Sequence, residues 1–160
     1  MGKKQDKTNV MRILDQKKIN YKCFEYDNTK LSATQVAQSL NIKVGMLFKT
    51  LVTVAKSKEH YVFMVPAEKE LDLKKAAKAA GEKSIEMLPQ KELLPLTGYI
   101  HGGCSPIGMK KQYKTFIDIT AVDHEEIFFS AGKIGHQVCM PLTSLQKAIS
   151  VTPIDIVKDK

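Results

Sequence analysis

Apolar positions recur along this chain with two periods, about 3.6 residues in some segments and two in others. The helical period predicts an amphipathic helix over residues 6–18, in which Val10, Ile13 and Leu14 share a face. Further helices are predicted at 32–40, 72–80 and 141–149, with a single helical turn at 90–94. Alternating or continuous apolar runs predict strands at 21–26, 47–55, 61–66, 85–88, 115–119, 126–129 and 137–140.

Capping and turn residues set the boundaries of these elements. Ser32 followed by Gln35 is a capping-box pattern at a helix start, and Gly81 is typical of a helix end. Pro141 fits the first turn of the last helix, and the polar segment 27–29 predicts a turn. Helices and strands mix without a regular βαβ rhythm, which predicts an α+β fold with a mixed sheet, either open or closed into a barrel. All 160 residues are expected to form a single domain.

Composition narrows the class of protein. A hydrophobic content of 43% is enough for a core, and no apolar run approaches the roughly 18 residues that span a membrane. The N-terminus has no apolar signal region, so we expect a cytoplasmic protein without membrane contact. The odd number of cysteines, at 23, 104 and 139, predicts reduced thiols rather than disulfides.

The net charge of +8 comes almost entirely from lysine, because Arg12 is the one arginine among 25 basic residues. Such a charge favours an anionic partner, of which nucleic acid is the commonest. Without arginine, bidentate reading of guanine edges is nearly impossible, so a nucleic acid would be held by its phosphate backbone. The alternative is that the excess of lysine serves solubility alone.

Three segments far apart in sequence carry the candidate chemistry. Lys49 stands among apolar residues of a predicted strand, a costly position unless the ammonium faces a cavity, a partner or an anionic ligand. The alternative is an edge strand that uses lysine against aggregation. Segment 129–135 is a candidate for a second wall of the same site. A shaped loop is predicted at Gly102, Gly103, Cys104, Ser105 and Pro106, since glycine allows close backbone approach and proline fixes φ.

The usual catalytic groups fit this loop poorly. Ser105 is no serine-hydrolase nucleophile, because Pro106 lacks the N–H that an oxyanion hole needs there. A Cys104–His101 dyad stays open beside a simple packing role for the thiol. His-x-x-Cys pairs at 101/104 and 136/139 would bind zinc only in a turn, and we expect neither a metal nor a nucleotide cofactor. A site without a protein nucleophile is suited to a labile bond, cleaved by an oriented water or by a group of the substrate itself.

Four blocks of sequence, at 48–51, 71–77, 97–108 and 130–133, follow one another along the chain. Together they resemble the YbaK/EbsC family of Cys-tRNA(Pro) deacylases, which are related to the editing domain inserted in bacterial prolyl-tRNA synthetases. The resemblance implies a barrel-like mixed sheet of six to seven strands surrounded by helices. It also implies hydrolysis of the ester that joins a mischarged amino acid to tRNA. In cysteine-specific members the substrate's own thiol is proposed to attack that ester.

The resemblance also implies roles for individual residues. Lys49 matches the family lysine that contacts the substrate near the scissile ester, and 102–106 matches the G-x-x-x-P loop that grips the aminoacyl group. Tyr26 matches a position that lines the pocket, while Ser130 and Gly132 match the opposite wall.

The chain departs from the family pattern at several positions. Cys104 replaces the usual isoleucine, so this thiol is not expected to be essential. Gln137 stands where some relatives carry an acid and Ile134 where some carry arginine, and the loop 27–31 is shorter than in some relatives.

We therefore expect a stand-alone, trans-editing aminoacyl-tRNA deacylase acting on Cys-tRNA(Pro). Its partners would be the acceptor end of tRNA and prolyl-tRNA synthetase. The alternatives are a deacylase of Ala-tRNA(Pro) or of a broader set of Cys-tRNAs, and a non-catalytic module that binds tRNA or a synthetase.

Overall fold

A computed structural model describes residues 7–26 and 32–159. Three short 3₁₀ segments, at 44–46, 90–92 and 119–123, connect the longer elements. The helices are α1 (Asn9–Gln16), α2 (Ala33–Ser39), α3 (Leu73–Ala80), α4 (Leu93–Thr97) and α5 (Leu142–Ala148). The strands are β1 (Lys22–Glu25), β2 (Phe48–Ala55), β3 (His60–Pro66), β4 (Ile85–Met87), β5 (Lys114–Asp118), β6 (Ile127–Ser130), β7 (His136–Met140) and β8 (Val151–Ile154).

The described strands form two sheets. The larger has the order β4-β2-β3-β5-β8 and is mixed, because β3–β5 and β5–β8 are parallel while β2 pairs antiparallel with β3 and β4. The smaller sheet, β1-β7-β6, is entirely antiparallel. The two sheets meet where Leu47, just before β2, forms a parallel bridge with Phe128 of β6.

Local sequence explains most helix boundaries. The capping box predicted at Ser32 and Gln35 is present, with the Gln35 amide oxygen accepting from the Ser32 backbone N–H at 2.8 Å. Helix α3 ends at Gly81, which has the left-handed conformation at φ 73°, as predicted. The Asp72 carboxylate caps the start of α3 by accepting from two backbone N–H groups.

The main core lies between the sheets and helices α1 and α5, where Leu14, Val62, Phe129 and Leu145 are all fully buried. A second cluster packs α3 on the other face of the larger sheet, through stacked Phe63 and Phe116 rings and neighbouring aliphatic residues. A third, smaller cluster holds α2 against the junction of the two sheets. Both faces of the larger sheet are therefore covered, which fixes β2 and its Lys49 in place.

The structure confirms the α+β class and the mixed sheet, and it differs from the expected sheet in two ways. The strands divide between two sheets, so a barrel-like sheet of six to seven strands is not confirmed. An eighth strand, β8, was not predicted. Its Pro153 argues against a strand, but β8 lies at the sheet edge, where a missing N–H costs no ladder bond.

Three predicted boundaries also shift. The helix predicted at 6–18 spans Asn9–Gln16, and the turn predicted at 90–94 extends as α4 to Thr97. Pro141 caps the last helix rather than lying within it.

The turn predicted at 27–29 and the shortened loop 27–31 lie outside the described residues. Within residues 7–26 and 32–159, no helix is long and apolar enough to cross a membrane.

Candidate active site

A cavity of about 410 Å³ lies beside the first half of β2. This volume is within the usual range for small-molecule sites. All three sequence segments that were expected to share a site contribute to this cavity: β2, the loop after α4, and the β6–β7 hairpin. Its walls are Tyr26, Val36, Leu47, Phe48, Lys49, Thr50, Leu51, Val52, Ala67, Met87, Leu88, Gln90, Leu93, His101, Gly102, Cys104, Ser130 and Gln137.

The cavity contacts β2 along an edge of the strand. Residues 47–52 all line it, although alternate side chains of a strand point to opposite faces. A continuous run of lining residues therefore means that backbone as well as side chains faces the cavity. The edge is open because β4 pairs with β2 only at 53–55, beyond the cavity.

Lys49 contributes the cationic group of the cavity. Its side chain is half-buried, and it makes no ion pair or hydrogen bond with the described residues. Burial lowers the pKa of the Lys49 ammonium below its usual value, and the negative charge of Glu70 offsets part of that effect. A partly desolvated ammonium without a partner is suited to an anion or to the oxygen of a polarised carbonyl.

The loop after α4 is held closed by hydrogen bonds at its ends and across its middle. Lys110 donates its backbone N–H to the Thr97 carbonyl at 3.1 Å, which joins the two ends. Inside the loop, the Tyr99 hydroxyl donates to the Ile107 carbonyl, and Ser105 Oγ accepts from the Ile107 N–H at 3.3 Å. These contacts hold the shape of the loop from within.

Two glycines allow this loop to take its shape. Gly102 has φ 88°, a left-handed conformation that other residues rarely adopt. Gly103 packs against the backbone of the β6–β7 turn, where an added Cβ would lie 3.1 Å from the Ile134 nitrogen. The loop and the turn therefore approach closely enough to share one wall.

The β6–β7 hairpin supplies the facing polar groups. Ser130 and Gln137 are paired across the ladder and both line the cavity. Ser130 Oγ accepts from the Gly132 N–H at 3.0 Å, which fixes the turn. Gly132 itself lies behind the cavity, with φ 93° and its Cα against the Tyr99 ring.

Two cavity side chains carry buried polar atoms without partners. Thr50 Oγ1 and Gln137 Oε1 form no hydrogen bond with any described residue. Such groups are costly in a folded protein unless a ligand or water satisfies them. Gln137 is 7% exposed and lines the cavity, so its side-chain amide belongs to the wall that a bound ligand would contact.

None of the described residues that line the cavity is an activated nucleophile. Burial raises the pKa of the Cys104 thiol to about 12, so the thiol is un-ionised at neutral pH. His101 also lines the cavity but is exposed, and no hydrogen bond joins it to Cys104. Ser105 is fully buried and bonded within its own loop. No three His, Cys, Asp or Glu side chains in the described parts of the chain lie close enough to hold a metal.

The structure thus divides the predicted site residues into two groups. Tyr26, Lys49, Gly102, Cys104 and Ser130 line the cavity. The remaining four do not line it, although each is a chain neighbour of a residue in the same loop or hairpin: Gly103, Ser105, Pro106 and Gly132.

Three residues with no predicted role now join the site. Thr50 and Gln137 contribute unpartnered polar atoms, and Tyr99 connects the two loops. In the sequence, Gln137 was notable only because some relatives of the family carry an acidic residue at its position. Nothing in the sequence pointed to Thr50 or Tyr99.

Comparison with known proteins identifies two relatives by sequence. The chain is 51% identical over 138 residues to the Enterococcus faecalis protein EbsC, which is provisionally named a Cys-tRNA(Pro)/Cys-tRNA(Cys) deacylase. The match covers 85% of this chain and 84% of EbsC. An uncharacterized Bacillus subtilis protein, YwhH, is 21% identical over 136 residues, covering 84% of this chain and 86% of YwhH.

Solved structures share the fold. A crystal structure described as a provisional trans-editing enzyme for prolyl-tRNA synthetase superposes with a TM-score of 0.85 at 22% identity, covering 96% of this chain and all of that one. Residues 27–148 match the family of aminoacyl-tRNA editing domains. The family resemblance predicted from the four sequence blocks is confirmed, and the chain belongs to the aminoacyl-tRNA editing domain family.

Proposed function

We propose that these residues form one domain, a trans-editing deacylase that removes cysteine from mischarged Cys-tRNA(Pro). One observation carries the proposal: an editing-domain fold brings Lys49 and Gln137, which have polar atoms without partners among the described residues, to one cavity whose described side chains include no activated nucleophile. The 51% identity to a protein provisionally named a Cys-tRNA deacylase supports the choice of substrate.

The polar groups of the cavity match those of an aminoacyl ester. Gln137 Oε1 accepts a hydrogen bond from the substrate's α-ammonium group, which satisfies the buried oxygen. Lys49 lies at the ester carbonyl, where its ammonium stabilises the negative charge that develops on the carbonyl oxygen. Thr50 Oγ1 is a second polar contact on the same strand. The apolar walls hold the small side chain of cysteine.

The substrate itself supplies the nucleophile in the route we favour. The cysteine sulfur attacks its own ester carbonyl, the bond from the carbonyl carbon to the tRNA 3′-oxygen breaks, and the thiol proton passes to that oxygen. The products are free tRNA and a cyclic cysteine thiolactone. The protein's part is to hold the sulfur near the carbonyl and to stabilise the oxyanion, and the un-ionised Cys104 takes no part.

A broader specificity is the second candidate. The relative's name includes Cys-tRNA(Cys) as well as Cys-tRNA(Pro), so cysteine rather than the tRNA body would be what the cavity recognises.

With either substrate range, we propose that the activity is located in the cytoplasm and that prolyl-tRNA synthetase is a docking partner. Ala-tRNA(Pro) lacks the thiol and is expected to be a poor substrate.

A panel of esters tests the proposal. Purified protein is mixed with Cys-tRNA(Pro), Cys-tRNA(Cys), Ala-tRNA(Pro), Pro-tRNA(Pro) and S-methylcysteinyl-tRNA(Pro), and loss of the amino acid is followed. We expect fast loss of cysteine alone, with the S-methyl ester stable because its sulfur carries no proton. Loss of S-methylcysteine at the cysteine rate would show that water attacks instead. No acceleration of any ester would leave a non-catalytic tRNA-binding module.

A further inference from the structure

A second concave site lies at the far end of the smaller sheet. Its volume is about 370 Å³, and it is lined by Lys17, Lys18, Ile19, Asn20, Ser144 and Lys147, which we call the basic pocket. The first four residues follow α1, whereas the last two lie on α5. Two segments more than 120 residues apart therefore bring three ammonium groups to one depression, and this is a tertiary arrangement rather than a run of lysines.

No carboxylate in the described part of the chain pairs with these three lysines. None of them forms an ion pair or a side-chain hydrogen bond with the described residues. The nearest acidic residue in sequence, Asp15, is already bonded to Lys7 and Tyr21. Some other lysines are paired, as Lys75 is with two aspartates. The basic pocket is thus a concentration of unbalanced positive charge.

Buried neighbours fix the shape of the basic pocket on both sides. Ile19 is 8% exposed, and its backbone N–H donates to the Leu14 carbonyl at 3.0 Å. On α5, Leu145 is fully buried between Ser144 and Gln146. The lysine backbones are therefore anchored to the core, and only their side chains are free to meet a ligand.

We propose that the basic pocket binds the phosphate backbone of the tRNA substrate; this inference rests on the proposed function. A polyanion is favoured because lysine ammonium groups neutralise phosphates as point charges and read no bases. The location is suitable: Asn20 and Tyr26 are six residues apart, so their Cα atoms are separated by at most about 21 Å. Because Tyr26 lines the catalytic cavity, an RNA whose aminoacylated end occupies the cavity carries further phosphates within reach of the basic pocket.

A charge-removing variant tests the inference. Lys17→Gln/Lys18→Gln/Lys147→Gln is compared with the wild type on charged tRNA and on a short aminoacylated 3′-terminal nucleotide fragment that cannot reach the basic pocket. We expect KM for tRNA to rise about tenfold or more, with kcat and all constants for the fragment unchanged. The slope of log K for tRNA binding against log salt should decrease in magnitude by about two to three, since each of the three lost phosphate contacts removes about 0.7–0.9.

Two further variants serve as controls. Lys56→Gln/Lys58→Gln/Lys83→Gln removes the same charge from exposed lysines around the β2–β3 turn, where Glu59 and Glu82 are interspersed. It should alter KM and the salt slope much less. The charge-conserving Lys→Arg triple variant of the basic pocket should bind tRNA as the wild type does, which excludes damage to the fold.

The outcomes are distinct from failure of the proposed function. Equal KM and salt slope for the basic-pocket and control variants would overturn the inference, as would equal losses on tRNA and fragment. A wild type that deacylates nothing would overturn the proposed function. A reduced tRNA salt slope, specific to the basic-pocket variant, would still support the phosphate site in that case.

Discussion

Ser130 and Gln137 are Cα partners at the turn end of the β6–β7 ladder, and both line the cavity. The connection between them is held by the Ala131 N–H, which donates to the His136 carbonyl at 3.0 Å. Because the pair lies on a hydrogen-bonded hairpin, the Gln137 backbone is held in place at the cavity wall. A polar group placed in advance loses little entropy when it binds its ligand.

Gln137 is expected to recognise the α-ammonium group of the substrate. Gln137→Leu removes the acceptor and should raise KM about 10- to 100-fold, which corresponds to the 1.5–3 kcal/mol of a hydrogen bond to a charged group. Gln137→Glu keeps an acceptor and should retain activity. N-acetylcysteinyl-tRNA provides the matched control, because it lacks the ammonium charge. If Gln137→Leu preferred the free amine as strongly as the wild type does, the assignment would be wrong.

Lys49 should cost stability at neutral pH. Its folded pKa is lowered by burial below the unfolded value near 10.4, so the folded state binds fewer protons between the two values. The cost of burying the Lys49 ammonium is fully present below the folded pKa. It is relieved as the pH rises above the folded pKa, because the folded state then loses its proton. Lys49→Met should therefore have a higher free energy of unfolding than the wild type at pH 7. This difference should shrink as the pH rises above the folded pKa of Lys49.

Urea unfolding of the two proteins from pH 7 to pH 10.5 measures this difference. Lys74→Met, at an exposed position of α3, reports the effect of removing one charge from a chain of net charge +8. A Lys49→Met protein that is less stable at pH 7 would contradict the account of a partly desolvated ammonium.

The three cysteines should react very differently. Cys23 is exposed, whereas Cys104 and Cys139 are buried, and burial raises the pKa of both buried thiols to about 12. A thiol reagent at pH 7 is expected to modify one cysteine quickly, identified as Cys23 by peptide mapping. Cys104→Ser should keep most deacylase activity. Rapid modification of Cys104, or a folded but inactive Cys104→Ser protein, would revive the dyad with His101.

Tyr99 should support the active-site loop rather than the chemistry. Tyr99→Phe leaves the buried Ile107 carbonyl without its donor, at an expected cost of about 1–3 kcal/mol in the free energy of unfolding. The matched control is Tyr113→Phe, which removes a longer 3.3 Å bond to the Leu96 carbonyl from a half-buried residue outside the loop. Equal, small losses in both variants would show that the Tyr99 bond does not stabilise the loop.

Local patterns predicted most of the secondary structure but not its assembly. The capping box at Ser32 and the glycine at position 81 depend on neighbouring residues only, and both are confirmed. The edge strand β8 escaped prediction because Pro153 disfavours a strand unless its missing N–H faces away from the sheet. Which strands pair is decided by contacts distant in sequence, such as the Leu47–Phe128 bridge, and no local pattern encodes it.

The site shows the same division. Lys49 and Gly102 could be predicted because their chemistry is unusual for their positions in the sequence, and both line the cavity. Gly103 and Gly132 belong to the same motifs, but their small size serves packing between loops. Thr50 and Gln137 look ordinary in sequence. Only the folded chain shows that their polar atoms are buried without partners.

The most direct test of the account is the initial rate of Cys-tRNA(Pro) deacylation by the wild type and by Lys49→Ala, with Pro-tRNA(Pro) as the control ester. We expect the wild type to release cysteine but not proline. Lys49→Ala should lose about 100-fold or more of the rate while keeping its circular-dichroism spectrum and unfolding transition, since loss of one oxyanion-stabilising group typically costs that much. A folded Lys49→Ala protein that deacylates Cys-tRNA(Pro) at the wild-type rate would contradict the proposed site.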